Sequence, residues 1–216
     1  MINGQCNYFP MVVIVDYGVG NTRAFANSYK TLGVPFILAQ NTAALAVATQ
    51  IILPGVGAFD HAMDKLNSSG MRPLLDEMVL EKRIPVLGVC VGMQMLAQHS
   101  EEGKLPGLGW IDGTVKKFDV SKIQSTTRLP HMGWNDVLPG QPVNLLFDGL
   151  LADAKFYFLH SYYFVCNRVT DRIAVANYGG DFTCAVNHQH IYGVQFHPEK
   201  SHHCGMKLLE NFSKVK

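Results

Sequence analysis

Two short stretches of this chain hold side chains that together could cleave an amide. The first is Gly88-Val89-Cys90-Val91-Gly92, of the form G-x-C-x-G. It sits where an apolar run, Pro85–Val89, gives way to a helix-like run through about Ala97. At such a strand-to-helix elbow the nucleophile stands clear of the sheet, and small flanking residues relieve crowding. The helix N-terminus favours an anion, so a thiolate is favoured over the thiol there. The amide of Val91 would then face a developing oxyanion. The second stretch is Gln195-Phe-His-Pro-Glu-Lys-Ser201. His197 and Glu199 lie two apart at the end of a strand-like run, and in extended chain such residues share a side. A carboxylate beside an imidazole fixes its tautomer and stabilises imidazolium. Cys90, His197 and Glu199 are thus candidates for nucleophile, base and orienting group. Taken alone, Cys90 can equally be a small buried filler, and His197 an exposed strand-end histidine.

The elements that would position these groups alternate in kind. Met11–Asp16, Val34–Leu38, Ile51–Leu53 and Pro85–Val89 are β-branched or apolar runs that predict buried strands. Between them Asn21–Leu32 and Phe59–Leu80 carry helical periodicity, the second interrupted near Gly70 and Pro73. This alternation predicts an α/β fold, a mostly parallel central sheet flanked by helices. Beyond Gly103 the runs are short and close together: 113–118, 134–138, 156–165, 172–178, 182–186 and 191–195. They predict antiparallel strands added in the C-terminal half. Residues 202–215 predict a closing amphipathic helix. Residues 11–216 read as one domain preceded by an extension, 1–10.

Composition narrows the function classes. Of 216 residues 48% are apolar and 16% charged, which is enough for a packed core. A net charge of +1 without a basic block speaks against a nucleic-acid or membrane-surface binder. No apolar run reaches the ~20 residues of a membrane span, and 1–10 lack a signal-peptide pattern. The five cysteines are widely spaced and form no CxxC, which suits free thiols in a cytoplasm. No spacing among the nine histidines matches a zinc pattern, so no metal site is expected.

The GVCVGMQ segment with a distant FHPEKS resembles the class I (triad) glutamine amidotransferases. Asp16–Asn21 (DYGVGN), Pro54–Phe59 (PGVGAF), Pro130–Asn135 (PHMGWN), His160–Tyr163 (HSYY) and QFHPEKS are together similar to one branch of that family. Its members are the glutaminase subunits of imidazole glycerol phosphate synthase, an enzyme of histidine biosynthesis. The resemblance implies the flavodoxin-like amidotransferase fold and a Cys90-His197-Glu199 triad that hydrolyses glutamine. It implies an oxyanion hole from Val56, Gly57 and Val91, and glutamine binding by Gly57, Gln94, Ser161 and Tyr162. It implies a heterodimer with a (β/α)₈ cyclase, which Asn21, Trp134 and Lys200 would face, and no cofactor. A peptide next to glycine reorients at low cost, so the one near Val56 is expected to point away at rest and turn in when the cyclase is loaded. A paralogous subunit feeding amidino-sugar formation in surface polysaccharides and a Cys-elbow peptidase are the alternatives.

Overall fold

The computed structural model describes residues 11–123, 129–151 and 153–216; the extension 1–10 lies outside them. The first half alternates as its apolar pattern predicts. Its strands are β1 (Val12–Val15), β2 (Phe36–Ala39), β3 (Gln50–Gly55) and β4 (Val86–Cys90), and its helices α1 (Thr22–Leu32), α2 (Thr42–Leu45), α3 (Phe59–Ser68), α4 (Arg72–Asp76) and α5 (Val91–Met95). The second half contains β5 (His99–Ser100), β6 (Gly113–Lys117), β7 (His131–Asp136), β8 (Leu138–Pro139), β9 (Lys155–His160), β10 (Tyr162–Cys166), β11 (Arg172–Asn177), β12 (Asp181–His188) and β13 (Ile191–Val194), and ends in α6 (His202–Phe212).

Local chemistry explains the better-defined ends. The Asn21 side chain accepts from the amide of Ala24 at 3.3 Å and caps α1. Gly33, at φ +67°, ends the same helix in the left-handed conformation. Every residue of β1, β3 and β4 is buried, because helices cover both faces of a parallel sheet. Phe25 and Tyr29, one helical turn apart, are the apolar face of α1. Each such burial is worth about 1.5–3 kcal/mol.

The sheet runs β2-β1-β3-β4-β13-β12-β10-β6-β5, with β11 and β8 branching from β12. Its decisive feature is β13. This strand leaves β12 as an antiparallel hairpin and then pairs parallel with β4, Val194 opposite Val89. Val89 and Val194 therefore lie side by side, one residue before Cys90 and three before His197. A separate two-stranded ribbon, β7 with β9, braces this edge. Its Tyr157 carbonyl accepts from the His197 amide at 2.8 Å.

Several elements differ from the sequence expectation. The run 156–165 is two strands, not one. It breaks at Ser161, so that β9 pairs with β7 and β10 with β6 and β12. The 59–80 helix breaks around Gly70 as expected, between Ser68 and Arg72, but Pro73 starts the next helix instead of interrupting it, and that helix widens into a π turn, Glu77–Glu81. The helix after the elbow stops at Met95 and the last helix at Phe212. The short α2 and β5 carry too little periodicity to be foreseen. Among the described residues, no helix is long and apolar enough to cross a membrane.

Candidate active site

The elbow at Cys90 is built by crowding. Cys90 has φ 56° and ψ −113°, a region that side-chain-bearing residues rarely enter. A Cβ on Gly88 would meet the Gly92 carbonyl oxygen at 2.6 Å, and one on Gly92 would run into the Leu53 carbonyl. Gly55, opposite Cys90 in the sheet, is pressed against the Gly92 amide in the same way. Three glycines thus let β3, β4 and α5 close on one another, and the tight turn aims the thiol away from the sheet. Cys90 is buried, yet it lines a cleft of about 320 Å³.

His197 and Glu199 meet it from β13. His197 Nδ1 lies 2.8 Å from Glu199 Oε1, and both side chains are buried. The same-side placement does not come from extended chain: Pro198–Lys200 is a 3₁₀ turn that folds the carboxylate back under the ring. Burial alone would lower the proton affinity of His197. Hydrogen bonds with Cys90 and Glu199, together with the charges of both, outweigh it and raise the imidazole pKa to about 10. The arrangement favours the protonated, imidazolium form of His197.

The cleft is walled by Val56, Gly57, Val91 and Gln94 on one side and by Leu159, His160, Ser161 and Tyr162 on the other. A thiol on a strained elbow, an imidazole and a buried carboxylate therefore converge at the carboxyl end of a parallel sheet, where open α/β folds bind ligands. The family model for glutamine amidotransferase class-I matches residues 13–215. This chain belongs to that family. It is 56% identical over 206 residues to the "Imidazole glycerol phosphate synthase subunit HisH" of Bdellovibrio bacteriovorus, covering 95% of this chain and 100% of that one. It is 53% identical over 205 residues to the protein of the same name from Leptospira interrogans, with the same coverage. Solved structures share the fold at lower identity. PurLQS from Thermotoga maritima superposes with a TM-score of 0.71 at 16% identity, covering 94% of this chain and 97% of that one. A glutamine amidotransferase from the same organism reaches 0.62 at 17%, covering 95% and 83%.

Within this class I amidotransferase the sequence-predicted residues fall into three groups. Cys90, His197, Val56, Gly57, Val91, Gln94, Ser161, Tyr162 and Lys200 all line the cleft. Glu199 stands behind His197. Asn21 and Trp134 lie outside it: Asn21 is the exposed cap of α1, and Trp134 is half-exposed and stacks on His202 with ring centroids 5.1 Å apart. Gln94 is buried, not solvated. Its Nε2 donates to the Tyr162 carbonyl and to Gln195 Oε1, each at 3.1 Å.

Sequence reasoning missed four polar groups. Gln195 is fully buried and its Nε2 lies 3.8 Å from Cys90 Sγ. Glu102 lines the cleft and accepts from the Phe59 amide at 2.9 Å; burial raises its carboxyl pKa. His160 and His131 are buried with their rings 3.0 Å apart, Nε2 to Nδ1. The signal that could have found Gln195 is a lone polar residue closing an otherwise apolar run, which in a core must be bonded. The DYGVGN loop also has an inward role. The Tyr17 hydroxyl donates to the Pro54 carbonyl at 2.7 Å and so anchors the start of the Gly55-Val56-Gly57 turn.

Proposed function

We propose that residues 11–216 form one glutamine amidotransferase domain that hydrolyses glutamine through Cys90, His197 and Glu199 in the cytoplasm. It delivers the ammonia to a (β/α)₈ cyclase as the glutaminase subunit of an imidazole glycerol phosphate synthase, in histidine biosynthesis. The observation that carries the chemistry is the convergence of the elbow thiol with the His197–Glu199 pair in one cleft. The pathway rests on the two relatives above, both named for that synthase. Their names favour it over supply of ammonia for amidino-sugar formation.

The residues divide the reaction among them. The Cys90 thiolate attacks the side-chain carbonyl carbon of glutamine and forms a tetrahedral oxyanion. The amides of Val91 and of the Val56–Gly57 segment are the donors for that charge. Imidazolium His197 protonates the leaving nitrogen, the C–N bond breaks, and ammonia departs from a glutamyl thioester. Neutral His197 then takes a proton from water, hydroxide attacks the thioester, and the thiolate leaves with release of glutamate. Glu199 holds the ring and stabilises its cation throughout. Gln94, Gly57, Ser161 and Tyr162 bind the amino-acid end of the substrate, and the Glu102 carboxylate offers a counter-charge to its ammonium. No step calls for a metal or cofactor.

The partner would cover the mouth of the cleft. Met132 and Leu159 are cross-strand neighbours and are 61% and 38% exposed; Val56 is 40% exposed. Trp134 and the Lys200 ammonium, which sits 5.6 Å from the Tyr157 ring centre, extend this rim. An exposed apolar rim of this kind fits a subunit interface. Co-expression with a (β/α)₈ cyclase, co-purification and a glutamate-release assay on the complex test the reading. A complex that releases glutamate and forms the synthase product supports it. A chain that binds no cyclase, or a complex inert to glutamine, rejects it.

A further inference from the structure

The chemistry above uses Cys90, His197 and Glu199 but leaves Gln195 without a task, although its amide reaches the same sulfur. Gln195 directly follows β13 and is fully buried. An unbonded amide there would be costly, and methionine would fill similar space without that cost. The polar group is held by bonds at both ends: Oε1 accepts from Gln94, and Nε2 points at Cys90 Sγ.

That orientation follows from the neighbours, which form one chain of donors and acceptors. The Tyr162 carbonyl can only accept, so His160 Nδ1, 2.7 Å away, must carry a proton. His160 Nε2, in a neutral ring, then accepts from His131 Nδ1. His131 Nε2 in turn accepts from Asn135 Nδ2 at 3.2 Å, the same nitrogen that donates to the Asn177 carbonyl at 2.9 Å. Burial keeps both rings neutral, His131 at about 4 and His160 at about 3. On the other side of Tyr162 the same carbonyl accepts from Gln94, so Gln94 presents its nitrogen. That nitrogen's second proton goes to Gln195, so Gln195 must present its oxygen to Gln94 and its nitrogen to the sulfur.

We propose that Gln195 is a catalytic residue that donates a hydrogen bond to the Cys90 thiolate, and that Gln94, held by the Tyr162 carbonyl, is the positioning residue that fixes the direction of its amide. This rests on Cys90 being the nucleophile of the glutaminase reading. The sulfur then has a partner in each protonation state. As a thiol it can donate to the Leu159 carbonyl at 3.8 Å; as a thiolate it accepts from Gln195 at 3.8 Å. The donor serves twice, once when the thiolate attacks and once when it leaves the thioester.

The test is alkylation of Cys90 by iodoacetamide on the full chain across pH about 5–9, followed by peptide mass spectrometry, which separates Cys90 from the other thiols. Two variants are compared with the parent. Gln195→Met keeps volume and removes the donor. Gln195→Asn keeps a polar group but draws it back by one methylene, and serves if the first variant loses its cooperative thermal transition. Both should shift the alkylation profile to higher pH, with the rate near pH 7 falling about 3- to 10-fold. In the glutaminase assay kcat should fall while KM changes little. An unchanged alkylation profile in a folded variant overturns the proposal. The alkylation readout needs no glutamine, so failure of the parent's cyclase complex to release glutamate would reject the functional reading and leave the sulfur's environment still measured.

Discussion

The Nδ1 atom of His197 and the Oε1 atom of Glu199 are 2.8 Å apart on a turn that hides the carboxylate almost completely, with 1% of its side chain exposed. The other oxygen, Oε2, is buried with no hydrogen-bond partner among the described residues. The charge on Glu199 therefore has His197 as its compensating group, and the imidazolium depends on that charge in return. Glu199→Gln removes the charge and keeps the shape. It should lower kcat/KM for glutamine by about 10- to 10³-fold, and by less than loss of the nucleophile does. Steady-state kinetics on both variants checks the ranking.

Cys90, the proposed nucleophile, gives the sharpest separation. Cys90→Ala removes the only atom that can form the thioester but leaves the rim around Trp134 and Met132 unaltered. In complex with the cyclase, glutamine-dependent turnover should fall by roughly 10⁴-fold or more. Turnover with added ammonium salt should persist near the parent rate. Loss of both activities would mean that the cysteine supports docking or folding instead of attack.

Stability should respond to pH with opposite signs at the two histidine sites. Hydrogen bonds and charges from Cys90 and Glu199 raise His197 from 6.5 to about 10 in the folded chain. The stability this contributes is complete below pH 6.5 and is lost as the pH rises through about 10. Burial depresses His131 and His160 to about 4 and about 3. What they contribute is present above 6.5 and lost as the pH falls through those values. Thermal unfolding of the parent should therefore weaken on both sides of neutrality. His197→Gln should flatten the alkaline limb, and His160→Phe part of the acid limb. An alkaline limb unchanged in His197→Gln would refute the ion-pair assignment.

What the sequence made legible was local. The glycines around Cys90 announce an elbow because only small residues fit where the Gly92 backbone meets Leu53. The His197–Glu199 pair is legible because two residues apart is short enough for almost any backbone to join them, even though the backbone proved to be a turn. What was not legible is non-local. Nothing in Ile191–Val194 says that this strand inserts parallel to β4, yet that pairing brings His197 to Cys90. The break at Ser161 is hidden because both sides are equally aromatic. Gln195 and the His131–His160 pair read as ordinary members of strands; their importance lies in partners that are 105 positions apart, for Gln195 and Cys90, or 29, for the two histidines.

Two glycines at this site should fail in different ways when replaced. A Cβ on Gly92 has nowhere to go, since the Leu53 carbonyl occupies the space. Gly92→Ala should cost about 1–3 kcal/mol or more, read as a lower denaturant midpoint, and lose glutaminase activity with it. Gly57 stands in open space, and its constraint is conformational, φ +83°. Gly57→Ala should cost only about 1–2 kcal/mol, since the left-handed region is strained but not blocked. If the Val56–Gly57 peptide must turn inward to supply an oxyanion donor once the cyclase is loaded, this substitution stiffens the segment that turns. The isolated subunit should then keep the resting glutaminase rate of the parent, while stimulation by cyclase and its ligand shrinks. Glutamate release measured with and without loaded cyclase decides it, and full stimulation in Gly57→Ala would show that the peptide does not move.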